Sequence, residues 1–364
     1  MKILILLPHP IESPGPRFRI YQYLPYFKKA GIEYTISTFL NGGEYMRIYN
    51  ESTSSLFTKI SILINGIIRQ MRSLSNIQSY DVVVVYREAM LFGRPWIERY
   101  ISRKGIPTIF DFDDAIWIPV KSQTGISPFI KKIVKSEKKF DKIMKLFTHI
   151  IAGNEYLARH SRLFNNNVSV IPTVVDTDYY KPVAQVQKQQ QNLVIGWIGS
   201  GSTAMYLKLL DNIWKHLPQH YRLNVIGGTY NASGIQTNCI KWSLNTELAE
   251  MAEFDIGIMP LPDDEWAKGK CGLKALQYMA MEIPCVASPV GVNTEIIQDG
   301  VNGFLAKDEE EWIKKLTLLI ENPELRQSLG KAGRKTVEER YSVKVWAPKY
   351  VEVLRKVGGE DGSL

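Results

Sequence analysis

The stretch Gly269-Lys-Cys-Gly-Leu-Lys-Ala-Leu-Gln-Tyr-Met-Ala-Met-Glu-Ile-Pro-Cys-Val-Ala-Ser-Pro-Val-Gly291 governs the reading of this chain. Its glycines open a loop, its apolar residues predict a helix from about Leu273 to Met281, Pro284 breaks that helix, and Cys285 to Ala287 predicts a buried strand. Just before it, Phe254-Asp-Ile-Gly-Ile-Met-Pro-Leu-Pro262 predicts another short apolar strand closed by prolines. Strand, loop, helix and strand make a β-α-β unit. In such a unit the loop beyond the strand's C-terminal end and the helix N-terminus form a concave, positively polarised place for an anion. On a helix starting here Lys270 and Lys274, four residues apart, share a side and flank that anion. Two solvated lysines on an ordinary surface helix give the same pattern.

The length of 364 residues exceeds what one core usually organises, which predicts two domains of about 170 to 180 residues each. A hydrophobic content of 45% and eight tryptophans predict packed globular domains rather than a disordered chain. The net charge of +8 favours anionic partners: nucleotides, nucleic acid or an acidic lipid surface. No zinc pair or aromatic RNA platform accompanies that charge, which weighs against nucleic acid. Cys239, Cys271 and Cys285 are few, odd in number and without metal-type spacing, so a reduced cytoplasmic setting is expected rather than a disulfide framework. Ile3 to Leu7 is too short for a membrane span or signal peptide, is cut by Pro8, and reads as a first buried strand.

From that strand the pattern runs through a loop at His9 to Pro16, a helix near Phe18 to Lys29 and a strand at Tyr34 to Thr38, a second β-α-β opening. Arg17, with Arg19 just beyond, can grip a phosphate or carboxylate with its planar fork, or simply sit solvated at a helix start. Leu56, Ile60, Leu63, Ile67, Met71 and Leu74 recur at helical spacing, widened by Phe57, Ile64 and Ile68. A core-facing helix is the default expectation, an interfacial membrane helix the alternative. Asp81 to Tyr86 reads as a strand of a parallel sheet covered on both faces, with Arg87 and Glu88 just past its end. Ile106 to Phe110 reads as the next strand, followed by Asp111-Phe-Asp-Asp114, whose carboxylates can bind a divalent ion, orient an acceptor hydroxyl or serve as a base, or equally act as turn and helix-cap residues. Phe129 to Phe147 carries seven lysines against Glu137 and Asp141, fitting either an anionic membrane surface or a solvated basic helix face.

Strands at His149 to Ala152 and Val168 to Ile171 follow, and the polar tract Gln185 to Gln191 marks a domain boundary. The chain restarts with the strand Val194 to Ile198 and the loop Gly199-Ser-Gly-Ser-Thr203, whose glycines permit close approach of backbone to a phosphate; it lacks the lysine-containing phosphate-loop pattern and the GxGxxG form, so a tight turn without ligand is the alternative. Arg222 to Ile226 with Gly227 is a further strand and turn, and Trp242 either stacks near a base or covers the core.

Gly196-Trp-Ile-Gly-Ser200, Asp255-Ile-Gly-Ile-Met-Pro-Leu-Pro262, Gly269-Lys-x-x-x-Lys-x-x-Gln-Tyr-Met-Ala280, Pro284-Cys-Val-Ala-Ser288 and Asp299-Gly-Val-Asn-Gly-Phe-Leu305 together resemble the retaining, GT-B-type glycosyltransferases of family 4. The resemblance covers most of the C-terminal half and is looser before it, where Ile171-Pro-x-x-x-Asp176 and Asp111-Phe-Asp-Asp114 carry it. It implies an α/β fold of two Rossmann-like domains with parallel sheets facing a cleft: an acceptor side at 1–182, a linker at 183–192, a donor domain at 193–342 and a final helix at 343–358 crossing back. It further implies a nucleoside-diphosphate sugar as donor substrate and a glycan, glycolipid or small-molecule acceptor; cytoplasmic placement rests instead on the cysteines, and association with the inner face of a membrane on the basic run. On the donor side it points to Gly199, Ser200, Gly201, Ser202, Gly227, Trp242, Lys270, Gly272, Leu273, Lys274 and Gln277. On the acceptor side it points to Arg17, Arg19, Glu88, Asp111, Asp113 and Asp114, with Lys270, Lys274, Asp111 and Glu88 nearest the chemistry. The family's Glu-x7-Glu pair falls on Gly269 and Gln277, so ribose contact rests on an amide and the sugar-side carboxylate is missing. With lysines and helix amides supplying positive charge, no metal is required to bridge the diphosphate.

Overall fold

The computed structural model describes residues 1–49, 55–118, 138–183, 193–218 and 221–359. The chain divides into two compact units, Met1–Thr173 with Trp346–Leu364, and Val174–Val345. The helix Val343–Val357 therefore begins in the second unit and continues in the first.

In the first unit, β1 (Lys2–Leu7), β2 (Glu33–Thr38), β3 (Val82–Tyr86), β4 (Thr108–Phe112), β5 (His149–Ala152) and β6 (Val168–Val170) form one sheet in the order β2-β1-β3-β4-β5-β6. Every pairing is parallel; β1 aligns Ile3 with Val82 on one side and with Tyr34 on the other. The apolar runs of β1 and β3 are buried along their lengths because helices cover both faces of a parallel sheet. The order reverses between β1 and β3, which puts a crevice outside the carboxyl ends of those strands.

Four local expectations change here. The predicted helix at Phe18 to Lys29 is two helices, Pro14–Arg19 and Leu24–Lys29, joined by a 3-10 turn at Tyr21–Tyr23. Pro25 lacks the N–H that a continuous helix needs there, and Ile20 leaves the helical region. Asp111 lies inside β4 rather than after it. In the helix Leu56–Ser73 the inward positions are Ile62, Gly66 and Gln70, so Leu56, Ile60 and Met71 of the expected core stripe face outward. The glutamine-rich tract and the basic run up to residue 137 lie outside the described residues; of the remainder, Lys139 turns inward at the start of the helix Lys139–Leu146.

The second unit contains β7 (Leu193–Ile198), β8 (Tyr221–Ile226), β9 (Thr237–Ile240), β10 (Ile256–Met259), β11 (Cys285–Ala287) and β12 (Phe304–Leu305) in the parallel order β12-β11-β10-β7-β8-β9. Here the order reverses between β7 and β10, which pair only at Ile195 with Ile256 and Gly196 with Gly257. Beyond that point Tyr278, from the helix Leu273–Ala280, enters the gap. Its hydroxyl accepts the Ile198 N–H at 3.0 Å and donates to the Ile258 carbonyl at 3.3 Å, replacing ladder bonds where the strands part. The quoted stretch thus holds open the switch point at which sheets of this kind bind ligands.

Candidate active site

The donor-side residues separate into a cluster and an outlier. Gly227 adopts a φ of +78°, where a side chain is strained, and a Cβ there would lie 2.2 Å from the Gly199 carbonyl oxygen and 3.2 Å from the Trp242 Cβ. A Cβ on Gly199 would stand 2.8 Å from the Lys274 Cε and 2.5 Å from the Trp197 ring. Lys274 extends over that buried indole, its Nζ 5.3 Å from the ring centre. Gly199, Gly227, Trp242 and Lys274 therefore meet at the carboxyl ends of β7 and β8. Ser200, Gly201 and Ser202 follow on the exposed rim, where the Ser200 and Ser202 hydroxyls lie 2.8 Å apart. The Gly199 amide is already committed to the Ile226 carbonyl at 3.0 Å, so it does not serve as a phosphate donor.

Lys270 stands elsewhere. The helix begins only at Leu273, after Gly272 with φ +71°, and Lys270 precedes it with its Nζ 5.3 Å from the Trp266 ring centre. The expected sharing of one helix face by Lys270 and Lys274 does not occur, because the left-handed Gly272 turns the chain between them. The Leu276 N–H donates to the Gly272 carbonyl at 3.1 Å, and the amides of a helix's first turn ahead of such a bond have no acceptor four residues back within the helix.

Gln277 is nearly buried, and its amide nitrogen donates to Glu247 Oε1 at 3.1 Å and to the Tyr180 hydroxyl at 3.2 Å. The Tyr180 hydroxyl itself bonds Glu247 Oε1, and the Trp242 indole N–H donates to Glu247 Oε2 at 2.5 Å. Glu247, which is wholly buried, thus ties Gln277 to Trp242 and Tyr180. Removing the charge by Glu247→Gln replaces a two-oxygen acceptor of three donors by an amide with one. We expect this to lower the unfolding free energy by about 1 to 3 kcal/mol, read from the urea midpoint, as buried donors lose their acceptor. An unchanged midpoint would remove Glu247 from this role.

In the first unit the four acceptor-side carboxylates, Glu88, Asp111, Asp113 and Asp114, are each paired with a cation. Arg19 donates from Nε and Nη2 to the two oxygens of Asp111, each at 2.9 Å, and from Nη1 to the Ile171 carbonyl at 2.6 Å; Tyr350 adds its hydroxyl to Asp111 at 3.1 Å. Both Arg19 and Asp111 are 0% exposed. Burial pushes the Asp111 carboxyl above the usual range, with the Arg19 charge opposing that shift. Expected as ligand contacts, these two residues instead form a closed internal tie. Arg87, with an unusual φ of +56° just past β3, grips Asp113 through Nε at 2.9 Å and Nη2 at 2.6 Å and also bonds Asp114, while Tyr86 donates to Asp113 at 2.6 Å. Glu88 accepts from Lys139 at 2.7 Å, and Lys139 also donates to the Met90 carbonyl. His9 packs edge-on against Tyr45 with ring centres 5.5 Å apart; burial and the nearby Arg87 charge push its imidazole down to about 3, leaving it neutral at pH 7. Arg17 keeps its guanidinium over the Phe18 ring at 4.9 Å. Among the described residues no group of three or more His, Cys, Asp or Glu is arranged to hold a metal ion.

Residues 184–336, the segment that carries the Lys274 cluster, match the family model "Glycosyl transferases group 1". The chain is related to that family through its second unit. A putative glycosyltransferase, EpsD of Bacillus subtilis, is 42% identical over 67 residues, 18% of each chain. The sulfoquinovosyl transferase SQD2 of Arabidopsis thaliana is 26% identical over 231 residues, 54% of this chain and 43% of that protein. The matched regions thus span less than half of these curated relatives. Among solved structures, the sucrose-phosphate synthase of Thermosynechococcus elongatus superposes with a TM-score of 0.69 at 12% identity, covering 99% of this chain and 100% of that one. Anabaena HepE in complex with UDP-glucose superposes with a TM-score of 0.67 at 16% identity, covering 98% and 100%. At these identities the likeness is one of fold, and that fold is the GT-B architecture of two Rossmann-like units.

Glu247, Tyr180 and Trp197 were not foreseen as site residues. Their partners lie 30, 97 and 77 positions away in the chain, at Gln277 for the first two and Lys274 for the third, so no local spacing signals them.

Proposed function

We propose that the protein is a retaining glycosyltransferase of the family 4 type, moving a sugar from a nucleoside diphosphate to a hydroxyl of a glycan, glycolipid or small-molecule acceptor. The observation that carries this is the placement of Lys274 against Gly199 at the β7/β10 switch point, within the segment that matches the family model. HepE, which shares the fold, was solved with UDP-glucose, and this supports a nucleotide-sugar donor here. In the reaction the bond from the anomeric carbon to the diphosphate oxygen breaks, and the acceptor oxygen bonds that carbon on the same face. The acceptor proton passes to a leaving phosphate oxygen. Charge accumulates on the diphosphate, so Lys274 and the first-turn amides beyond Gly272 stabilise the state that limits the rate. The buried Glu247–Gln277–Trp242 network fixes the wall beside it. In this scheme no carboxylate attacks the sugar, and Glu88 and Asp113, which retain some exposure, are the first-unit carboxylates open to a hydroxyl. The three cysteines are free thiols, in keeping with cytoplasmic action.

Calorimetric titration with UDP, GDP, ADP and TDP, followed by a donor and acceptor panel and NMR of the product's anomeric proton, tests the reading. One diphosphate is expected to bind, and the product to keep the donor's anomeric configuration. If no diphosphate binds and no sugar is transferred or hydrolysed, the proposal fails. Binding without turnover across the panel selects a non-catalytic nucleotide or carbohydrate binder, the reading favoured by the neutral Gly269 and Gln277.

A further inference from the structure

The helix Leu56–Ser73 wears its apolar residues on the outside. Phe57 is 82% exposed, Ile64 50% and Met71 43%; with Ile60 and Ile68 they follow one another at three- and four-residue steps along a single face. That stripe is about 21 Å long at 1.5 Å per residue.

The helix cannot roll to hide it. Gly66 presses so close to the sheet that a Cβ there would lie 2.7 Å from both the Phe39 ring and the Phe39 carbonyl oxygen. Arg69 fastens the same side, donating to the Thr38 carbonyl at 3.1 Å, to the Phe39 carbonyl, and to both oxygens of Glu44 at 3.0 and 3.1 Å. With Ile62 and Gln70 also inward, the polar anchors hold the apolar stripe outward.

We propose that this stripe is the surface by which the protein docks on an anionic lipid bilayer, the helix lying in the plane of the interface. The electrostatics select lipid over a second copy of the chain. No Asp or Glu occurs from Ser55 to Tyr80, while Lys59 in the first turn and Arg72 in the last are exposed. A symmetric contact between two such helices would bring cations together with no carboxylate on either helix to meet them. An anionic headgroup layer satisfies those cations while its acyl boundary takes up Phe57, Ile60, Ile64, Ile68 and Met71. No described helix is long and apolar enough to cross a membrane, so contact at the interface is the mode that fits. The surface belongs to the first unit alone, and the docking does not depend on which reaction the second unit serves.

Sedimentation of the full chain with vesicles tests this. Wild-type protein is expected to bind mixed phosphatidylcholine and phosphatidylglycerol vesicles and to bind pure phosphatidylcholine much less. The triple variant Phe57→Ser, Ile64→Ser, Ile68→Ser should lose about tenfold or more in partitioning, because the inserted apolar area is gone. Lys59→Gln with Arg72→Gln should lose severalfold and show a shallower salt dependence. The substituted side chains are exposed, so the thermal midpoint of each variant should match wild type, which separates lost docking from lost folding. Absence of wild-type binding, or equal binding by the triple variant, overturns the proposal. A concentration-dependent dimer that the triple variant dissolves, in a protein that ignores vesicles, overturns it in favour of self-association.

Discussion

Replacing Lys274 with alanine is expected to lower kcat/KM by about 100- to 1000-fold, the scale seen when one preorganised group facing a developing anion is removed. Lys274 is the cation that the fold carries to the switch point, beside Gly199 and over Trp197. At about 4 Å from a phosphate oxygen and an effective dielectric near 20, one charge contributes roughly 4 kcal/mol before desolvation is subtracted. Lys270→Ala should cost less than about tenfold, because Lys270 lies over Trp266 and the left-handed Gly272 turns the chain between it and Lys274. Steady-state kinetics on both variants, with calorimetry on the bound diphosphate, separates two cases. If kcat falls while diphosphate affinity changes little, Lys274 acts on charge that develops during departure; if both fall together, it binds the ground state as well. Equal losses for the two lysines, or an active Lys274→Ala enzyme, would show that the loop has been read wrongly.

The contrast between those lysines also marks where a sequence stops being legible. The strands at both ends of the opening stretch could be read because buried parallel strands require unbroken apolar runs, and Pro284 and the flanking prolines set their limits. The helix start at Leu273 was legible too, whereas the exclusion of Lys270 from its face was not, because Gly272 at φ +71° is a choice of backbone that periodicity does not encode. For Asp111, a residue with poor strand propensity, the reading stopped at Phe110; its place inside β4 depends on Arg19, 92 positions earlier. Lys139 looked like one more solvated lysine until Glu88 and the Met90 carbonyl closed on it. For the helix Leu56–Ser73 the apolar content was visible in the spacing, whereas its facing was decided by Gly66 and Arg69, two residues that carry no hydrophobic signal. In each case the decisive term is a contact made across the fold, and polar contacts of that kind leave no local pattern.

The Asp111 tie yields the largest expected change in stability. Asp111→Ala should cost about 3 to 5 kcal/mol, since it leaves a buried guanidinium without its counter-charge. After the substitution Arg19 retains the Ile171 carbonyl at 2.6 Å, and the Tyr350 hydroxyl loses its acceptor. Four segments would loosen together: β4, the helix Pro14–Arg19, the chain just beyond β6 and the part of the helix Val343–Val357 from Trp346 onward, all within the first unit. The charged pair itself need not be net stabilising, because removing both charges can be neutral when apolar groups fill the space. Arg19→Met combined with Asp111→Leu should therefore recover much of what Asp111→Ala loses, while Tyr350→Phe should cost only about 1 kcal/mol. Urea unfolding of the single and double variants gives the coupling as a double-mutant cycle. The outcome against this account is an Asp111→Ala protein that unfolds at the wild-type midpoint yet has lost transfer. That would make Asp111 a substrate-facing carboxylate after all. A destabilised Asp111→Ala protein, with transfer restored in the charge-free pair, would place its work in holding the first unit together.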